Sequence, residues 1–248
     1  MAERSEGLVS RHEVIVQSEG DAGLHTPGIL AKWPWIGLIM LMIGGIAFST
    51  LSYNVFTNGP LLRWDVPLSR ALPAYGLQHA ALFRPLTTAG FWIGGYLLTA
   101  SAALLDLYFL IKHYWEELFM LLAGMVGEFG LFGIVNTLVD RPRPPTQIWI
   151  PLKIPSFPSG HEMATVVFFG FLAYILVPKA RSGFVKALIV IVTILIILFV
   201  GFTRVFTAGH YLTDVLAGFA LGLAWAGIAY TFVELYFRDK RRRDDKKR

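Results

Sequence analysis

A polar stretch between two strongly apolar segments holds the residues best suited to chemistry. It spans residues 203–214, reads TRVFTAGHYLTD, and contains Arg204, His210 and Asp214, side chains that lipid-facing sequence excludes. If a helix begins near His210, the four-residue spacing places Asp214 one turn further on the same face. The carboxylate could then orient the imidazole and leave its other ring nitrogen free to react. We therefore predict that the chemistry takes place in this stretch.

A second unusual stretch, residues 139–160, leads into the apolar segment that begins at His161. It contains DRPRPP and PSFPSG, and its prolines rule out a continuous helix. Ser159 is well placed as a helix N-cap, and Gly160 allows a ligand to approach the backbone. The positive end of the following helix would then point toward an anion.

The composition indicates a membrane protein. Of the 248 residues, 55% are hydrophobic and 16% charged, and the mean hydropathy is +0.56, which is too apolar for an ordinary soluble domain. The absence of cysteine excludes disulfides and thiolate metal sites. The last eleven residues hold eight basic and three acidic side chains, so this tail accounts for the whole net charge of +5.

Six apolar stretches are long enough to cross a bilayer as helices. The predicted fold is therefore all-α, with a six-span domain at 33–237 between a polar N-terminal arm at 1–32 and a basic tail at 238–248. The spans are placed near 33–54, 86–111, 115–138, 161–178, 184–203 and 211–237.

The distribution of Lys and Arg predicts the orientation. This segmentation puts 15 of these residues on the side of both termini and seven on the other. The positive-inside rule then places both termini in the cytoplasm of a multi-pass cell-membrane protein. The polar stretches at 139–160 and 203–214 would face outward, to the outside or periplasm. Residues 55–85 are read as one or two helices in the outer interface, or as a simple covering loop.

Helix parity brings the two polar stretches to the same face of the membrane. The site would then collect Arg143, Arg204 and Ser159 with a helix N-terminus, two histidines and an aspartate. Guanidinium groups match the oxygens of a tetrahedral oxyanion and stay charged at every accessible pH. Phosphate is the obvious ligand.

These residues resemble the type 2 phosphatidic acid phosphatase family, whose motifs run K-x6-R-P, P-S-G-H and S-R-x5-H-x3-D. Here they read Asn136-x6-Arg143-Pro144, PSGH at 158–161 and Thr203-Arg204-x5-His210-x3-Asp214. The resemblance covers roughly residues 61–237 and implies an integral-membrane lipid phosphatase without metal or cofactor.

The family's roles carry over position by position. His210 would be the nucleophile that takes the phosphoryl group, Asp214 would hold its tautomer, and His161 would be the general acid. The phosphate oxygens would be held by the remaining set: Arg143, Arg204, Ser159, Gly160, Asn136 and Arg141.

Two positions depart from the family motifs. Asn136 replaces Lys, so a charge becomes a neutral amide that can still donate hydrogen bonds. Either phosphate affinity falls, a neighbouring cation such as Arg141 or Lys153 substitutes, or the substrate differs. Thr203 replaces Ser and keeps the hydroxyl.

Two carboxylates lie within predicted spans, Asp106 in the second and Glu128 in the third. Because a carboxylate inside the membrane is costly, each is a functional hypothesis. Glu128 would be protonated and hydrogen-bonded within the bundle or would contribute to a proton path, and Asp106 would lie near the cytoplasmic interface.

The sequence leaves the substrate open among polyprenyl diphosphate, phosphatidic acid and phosphatidylglycerol phosphate. We expect a membrane lipid phosphate and the bilayer as partners, and no nucleic acid. One rival is a phosphotransferase that passes phosphate from the same His210 intermediate to another acceptor. Another is a non-catalytic lipid binder or transporter that keeps the anion pocket.

Overall fold

The computed structural model describes residues 34–146 and 154–246. Within these ranges every regular element is a helix and no strand occurs, which confirms the all-α prediction. The predicted polar arm at 1–32 lies outside the described residues. The helices are α1 Trp35–Thr57, α2 Asp65–Gln78, α3 Ala80–Trp92, α4 Leu98–Lys112, α5 Trp115–Val139, α6 Gly160–Lys179, α7 Gly183–Phe206 and α8 Leu212–Asp245.

Six helical runs in the described part of the chain are long and apolar enough to span a membrane. The second run starts at Ala80 and combines α3 and α4 through a π-helical segment, Ile93–Leu97, so it begins earlier than predicted. The sixth run continues to Asp245, well beyond the predicted end at residue 237. Large apolar side chains remain exposed along these helices, as on α7 at Phe184, Ile191 and Leu195.

Residues 55–85 are helical, as one of the two readings predicted. A 3₁₀ turn at Pro60–Trp64 leads into α2, and α3 follows after a single residue, His79. Asp65, the first residue of α2, is 2% exposed. This segment packs against α7 and the start of α8, so it lies beside the polar stretches.

The prolines of the loop after α5 act as the sequence predicted. Helix α5 ends at Asp140, which adopts the left-handed backbone conformation with φ 43°. The residues 141–144 that follow have no regular structure, because prolines cannot continue a helix. The next helix of the described chain begins at Gly160, so the described residues 140–146 and 154–159 lie outside the helices and can contribute to a site.

Helix α8 is the central element of the bundle and packs against α1, α5, α6 and α7. Its buried positions are largely glycine and alanine, which let helix backbones approach closely in membrane proteins. At Gly44 of α1, a β-carbon would lie 2.4 Å from the carbonyl oxygen of Ala220. At the adjacent Gly45, apart from the backbone of α1 itself, no atom of the described residues lies within 4 Å of the same position.

These two glycines give a matched test of the packing between α1 and α8. Gly44→Ala forces a methyl group against the α8 backbone, and overpacking of this kind costs about 1–3 kcal/mol. We expect a thermal midpoint in detergent about 2–4 °C lower for each kcal/mol lost. Gly45→Ala should leave the midpoint unchanged or slightly raised, since alanine favours helix over glycine. Equal shifts in the two variants would contradict this packing.

Candidate active site

The two polar stretches meet at one end of the bundle, as helix parity predicted. Arg143 Nη1 donates a hydrogen bond to the carbonyl oxygen of Gly209 at 2.5 Å and lies 3.1 Å from Nε2 of His210. The loop after α5 and the turn before α8 are therefore in direct contact. Of the predicted site residues, Arg143, Gly160, His161 and His210 line one cavity.

The imidazole of His210 is buried, with 3% of the residue exposed. Its Nδ1 lies 2.7 Å from the carbonyl oxygen of Ser156. A carbonyl oxygen can only accept a hydrogen bond, so in the neutral ring the proton belongs on Nδ1. Nε2 then carries the lone pair, and it faces the guanidinium of Arg143. A group bound to Arg143 would lie beside a nucleophilic nitrogen.

Asp214 does not make the hydrogen bond to His210 that the sequence predicted. Its Oδ2 lies 3.8 Å from Nδ1 and instead accepts from the backbone N–H of Tyr211 at 2.9 Å. The reason is local, because α8 begins at Leu212 and Asp214 occupies its third position, where a carboxylate turns back to cap the first turn. The carbonyl of Ser156 orients the ring, and Asp214 acts on it as a nearby negative charge.

Arg143 is held by backbone carbonyl groups on both sides. Besides the bond to Gly209, Nε donates to the carbonyl oxygen of Ile154 at 2.7 Å and Nη2 to that of Pro155 at 3.3 Å. Burial lowers the pKa of the guanidinium, Asp214 partly offsets this, and the positive charge of Arg204 lowers the pKa further. An anion bound here would relieve that repulsion, so the site favours negatively charged ligands.

Arg204 is 5% exposed and sits near the end of α7. Its hydrogen bonds are long: Nη2 lies 3.4 Å from the carbonyl oxygen of Thr87, and Nε lies 3.4 Å from Oγ1 of Thr203. The guanidinium also lies over the ring of Phe91, 5.1 Å from the centroid. Thr203 thus fills the motif position of serine and contacts Arg204 through its hydroxyl.

His161 is the second residue of α6, and its ring lies against Phe91, with 5.5 Å between centroids. The π-helical segment passes directly beside it. A β-carbon at Gly95 would lie 3.2 Å from Nε2 of His161, and one at Gly94 would lie 3.4 Å from Cδ2. Gly95 therefore makes room for the imidazole, whereas a β-carbon at Gly94 would chiefly clash with Val200, 2.5 Å from its Cγ1. Segments of π-helix are frequent at functional sites.

Ser159 occupies the N-cap position of α6, as predicted, but its hydroxyl makes no capping hydrogen bond. The residue is fully buried, and its N–H donates to the backbone carbonyl of Asp214 at 3.1 Å. A β-carbon on Gly160 would lie 3.1 Å from the ring of Phe132, so glycine allows α5 to come close. Both residues connect α6 to the helices that carry the rest of the site.

Arg141 is engaged elsewhere than at the predicted phosphate site. Its Nη1 lies 2.5 Å from Oδ1 of Asp214 and 2.8 Å from Oγ1 of Thr213, and its Nη2 lies 2.8 Å from Oδ2 of Asp65. Burial alone would lower the pKa of this guanidinium, but the charges of Asp214 and Asp65 outweigh burial and raise the pKa. We therefore assign Arg141 a structural role in place of the predicted phosphate-binding role.

Sequence reasoning missed Asp65. Besides pairing with Arg141, its carboxylate accepts from the N–H of Thr213 at 3.0 Å and from the Thr213 hydroxyl at 2.6 Å. Asp65 thereby anchors the first turn of α8. Its partners lie 76 and 148 residues away, so no local spacing could reveal it. The only signal was an acidic residue within an amphipathic interfacial segment.

Asn136 also has a different role from the predicted one. Its Nδ2 donates to the carbonyl oxygens of Pro155 and Phe157, each at 3.0 Å. Both amide hydrogens are thus used on the two residues that flank Ser156, whose carbonyl orients His210. We therefore assign Asn136 the role of positioning this loop, because the amide retains no N–H for a phosphate oxygen.

The guanidinium of Arg143, two imidazoles and the start of α6 therefore line the cavity, and the charge of Arg204 acts on Arg143 from nearby. Such an arrangement can bind a tetrahedral oxyanion and place it beside Nε2 of His210. In the described part of the chain there is no group of three or more His, Asp or Glu side chains arranged to hold a metal ion.

Comparisons with known proteins point in the same direction. The family model of the PAP2 superfamily matches residues 114–238. Phosphatidylglycerophosphatase B of Bacillus subtilis (strain 168) is 34% identical over 122 residues, which are 46% of this chain and 57% of that protein. Lipid A 1-phosphatase of Rhizobium johnstonii is 37% identical over 78 residues, which are 32% of this chain and 28% of that protein. The chain thus spans little more than half of one curated relative and less than a third of the other.

A solved structure resembles the whole bundle. It is the crystal structure of a transmembrane PAP2 type phosphatidylglycerolphosphate phosphatase from Bacillus subtilis, with a TM-score of 0.64 and 26% sequence identity. The match covers 79% of this chain and 94% of that one. The six-span architecture is therefore shared with a solved membrane phosphatase.

The Asp65 network gives a stability prediction. Asp65→Asn removes one charge from a buried pair and leaves Arg141 partly uncompensated, a change that typically costs about 3–5 kcal/mol. We expect a clear drop in the thermal midpoint of the protein in detergent. Asp239 makes an ion pair with Arg243 in which both side chains are more than 60% exposed, so Asp239→Asn should have almost no effect. Similar midpoints for the two variants would contradict a structural role for Asp65.

The position of Asn136 predicts an effect on the tautomer of His210. Asn136→Leu keeps the volume but removes both hydrogen bonds that fix the residues around Ser156. We expect the Nδ1–H form of His210 to lose population, as measured by ¹⁵N NMR of histidine-labelled protein. Thr137→Val is the matched control, because that hydroxyl is exposed and bonds only the preceding turn of its own helix. A spectrum of Asn136→Leu identical to wild type would refute the positioning role.

Proposed function

Because this chain belongs to the PAP2 superfamily, we propose that it is an integral-membrane phosphatase that hydrolyses a phosphomonoester or diphosphate of a lipid. The observation that carries the proposal is the environment of His210. Its Nδ1 is committed to the carbonyl of Ser156, which leaves the Nε2 lone pair 3.1 Å from a cation that can hold phosphate. The names of the two curated relatives, both lipid phosphatases, support the same reaction class.

In the first step, Nε2 of His210 attacks phosphorus. A P–N bond forms while the P–O bond to the lipid breaks, and the departing oxygen takes a proton from His161 acting as general acid. The ring becomes positively charged when it is phosphorylated. Asp214, 3.8 Å from Nδ1, stabilises that charge, and the carbonyl of Ser156 keeps the ring in place.

In the second step, water attacks the phosphohistidine. Neutral His161 accepts a proton from the water, the P–N bond breaks, and the lone pair returns to Nε2 as inorganic phosphate leaves. His161 is then protonated and ready for the next cycle. Over both steps the site neither gains nor loses a proton.

The charge that develops on the phosphoryl oxygens is stabilised by the protein's own cations. Arg143 and Arg204 supply two guanidinium groups, and the N-terminus of α6 at Ser159 and Gly160 adds backbone dipoles. In this proposal the guanidinium groups do what metal ions do in many phosphotransferases, so no cofactor is required. Their fixed hydrogen bonds to backbone carbonyls, clearest for Arg143, mean that little reorganisation accompanies the reaction.

We also propose the orientation that the positive-inside rule predicts. Both termini would lie in the cytoplasm, and the end of the bundle that carries His161 and His210 would face the outside or periplasm. The substrate would then reach the site from the outer leaflet. Polyprenyl diphosphate, phosphatidic acid and phosphatidylglycerol phosphate are the candidates that follow from the family.

The proposal predicts that His210→Ala abolishes phosphate release. Loss of a nucleophile typically lowers turnover by at least about 10³-fold, and the measurement is free phosphate from a panel of lipid phosphates in detergent. His79→Ala is the control, because that ring is exposed and contacts the carbonyl of Tyr75 in the preceding helix. Equal phosphate release by wild type and His210→Ala would refute the proposed phosphatase activity at His210. Transfer of phosphate to an acceptor other than water would show a phosphotransferase.

A further inference from the structure

The cavity at the catalytic histidines extends into the bundle. It has a volume of about 490 Å³, within the range of small-molecule sites, and runs between α4 and α5. One side is built from small residues, including Gly94 and Gly95 of the π-helical segment and Ala102 and Ala103 of α4. Because His161, His210 and Arg143 line its other end, a lipid whose phosphate is held there would place its alcohol part in this space.

One carboxylate lies in the wall of this cavity close to the phosphate end. Glu128 is on α5, four residues before Phe132, which packs beside Gly160. Four residues correspond to about 6 Å along a helix, so Glu128 lies about one turn deeper than the start of α6. It is 4% exposed and lines the cavity. Among the described residues it has no hydrogen-bond or ion-pair partner.

An unpaired carboxyl group in such a position constrains what can bind. Burying a polar group without a hydrogen-bond partner is costly, and a plain hydrocarbon chain in the cavity would leave Glu128 in that condition. A second anionic phosphate next to Glu128 would meet no cation there and would be repelled by the ionised carboxyl. A hydroxyl group on the ligand would satisfy the carboxyl with a hydrogen bond, and an ammonium group would pair with its ionised form.

A proton relay through Glu128 does not account for the residue. In the proposed reaction His161 gives a proton to the leaving oxygen in the first step and regains one from water in the second. The cycle therefore needs no net proton from inside the membrane. The role that remains for Glu128 is contact with a bound ligand.

We infer that Glu128 determines specificity: the cavity accepts lipid phosphates whose alcohol carries a hydroxyl or ammonium group within a few bonds of the ester oxygen. This inference rests on the proposed function and narrows its substrate class. Donor-bearing alcohols are favoured over plain alkyl chains and over lipids with a second phosphate at that position.

The test uses three matched single-chain probes of equal length: a 1-alkanol phosphate, a 2-hydroxy-1-alkanol phosphate and a 2-amino-1-alkanol phosphate. Wild type should prefer the hydroxy and amino probes over the plain one by about three- to tenfold in kcat/KM, the effect of one hydrogen bond to a buried carboxyl group. Glu128→Leu should lose both preferences. Glu128→Gln, which keeps the shape and a carbonyl acceptor, should lose the preference for the amino probe and keep part of that for the hydroxy probe.

Asp106 supplies a matched control from the same cavity. It also lines the wall but lies at the other end, eleven residues beyond Gly95 on the second span, which is about 16 Å of helix. Asp106→Asn should leave the order of the three probes unchanged. The inference is overturned if wild type does not distinguish the probes, or if the preferences survive in Glu128→Leu and Glu128→Gln.

Binding separates this inference from the proposed function. His210→Ala cannot turn the probes over, so their affinities can be measured by titration calorimetry without reaction. The hydroxy and amino probes should bind His210→Ala more tightly than the plain probe, and the added change Glu128→Leu should remove the difference. If wild type released no phosphate but this order of affinities held, the proposed phosphatase activity would be refuted and the selectivity of the cavity supported. If wild type released phosphate but the affinities were equal, the activity would be supported and the selectivity refuted.

Discussion

The arrangement of the site depends on one buried guanidinium. Arg141 lies between Asp65 and Asp214, at 2.8 and 2.5 Å, in a bundle whose outer surface is largely apolar. A buried charge without partners is strongly unfavourable, so the partners must come from the protein itself. The ion pairs connect the start of α2, the loop after α5 and the start of α8, three segments far apart in the sequence. Removing either carboxylate would leave Arg141 partly uncompensated and weaken the connection between these segments.

This network explains why one group orients the imidazole of His210 and another supplies the nearby negative charge. Asp214 is held by Arg141 and by the first turn of α8, and its Oδ2 lies 3.8 Å from the imidazole, beyond hydrogen-bond distance. A backbone carbonyl, that of Ser156, hydrogen-bonds the imidazole instead, and Asn136 fixes the loop on both sides of it. The tautomer is thus set by a neutral acceptor, while Asp214 contributes charge from 3.8 Å. The carbonyl of Ser156 thus orients the imidazole, and Asp214 provides the negative charge near it.

Small residues have two consequences in this bundle. Where they face another helix, as Gly44 faces α8, they permit a close backbone approach that a methyl group would prevent. Beside the histidines, Gly95 leaves room for the ring of His161, and Gly94 and Gly95 both contribute to the wall of the cavity. The packing that stabilises the membrane domain and the cavity beside the histidines therefore rest on the same residue types. Glu128 then gives this space its polarity.

The sequence by itself determined the helical fold, the six spans, the meeting of the two polar stretches and the position of the histidines. These follow from hydrophobic length, parity and motif spacing, all of which are local properties. Only the tertiary structure decided that Arg141 pairs with Asp65, that Asn136 holds a loop, and that Ser156 orients His210. Such roles depend on which donors and acceptors come into contact, and the partners are separated by 19 to 148 residues in the sequence. A buried polar group forms its hydrogen bond with whichever partner the packing brings within reach.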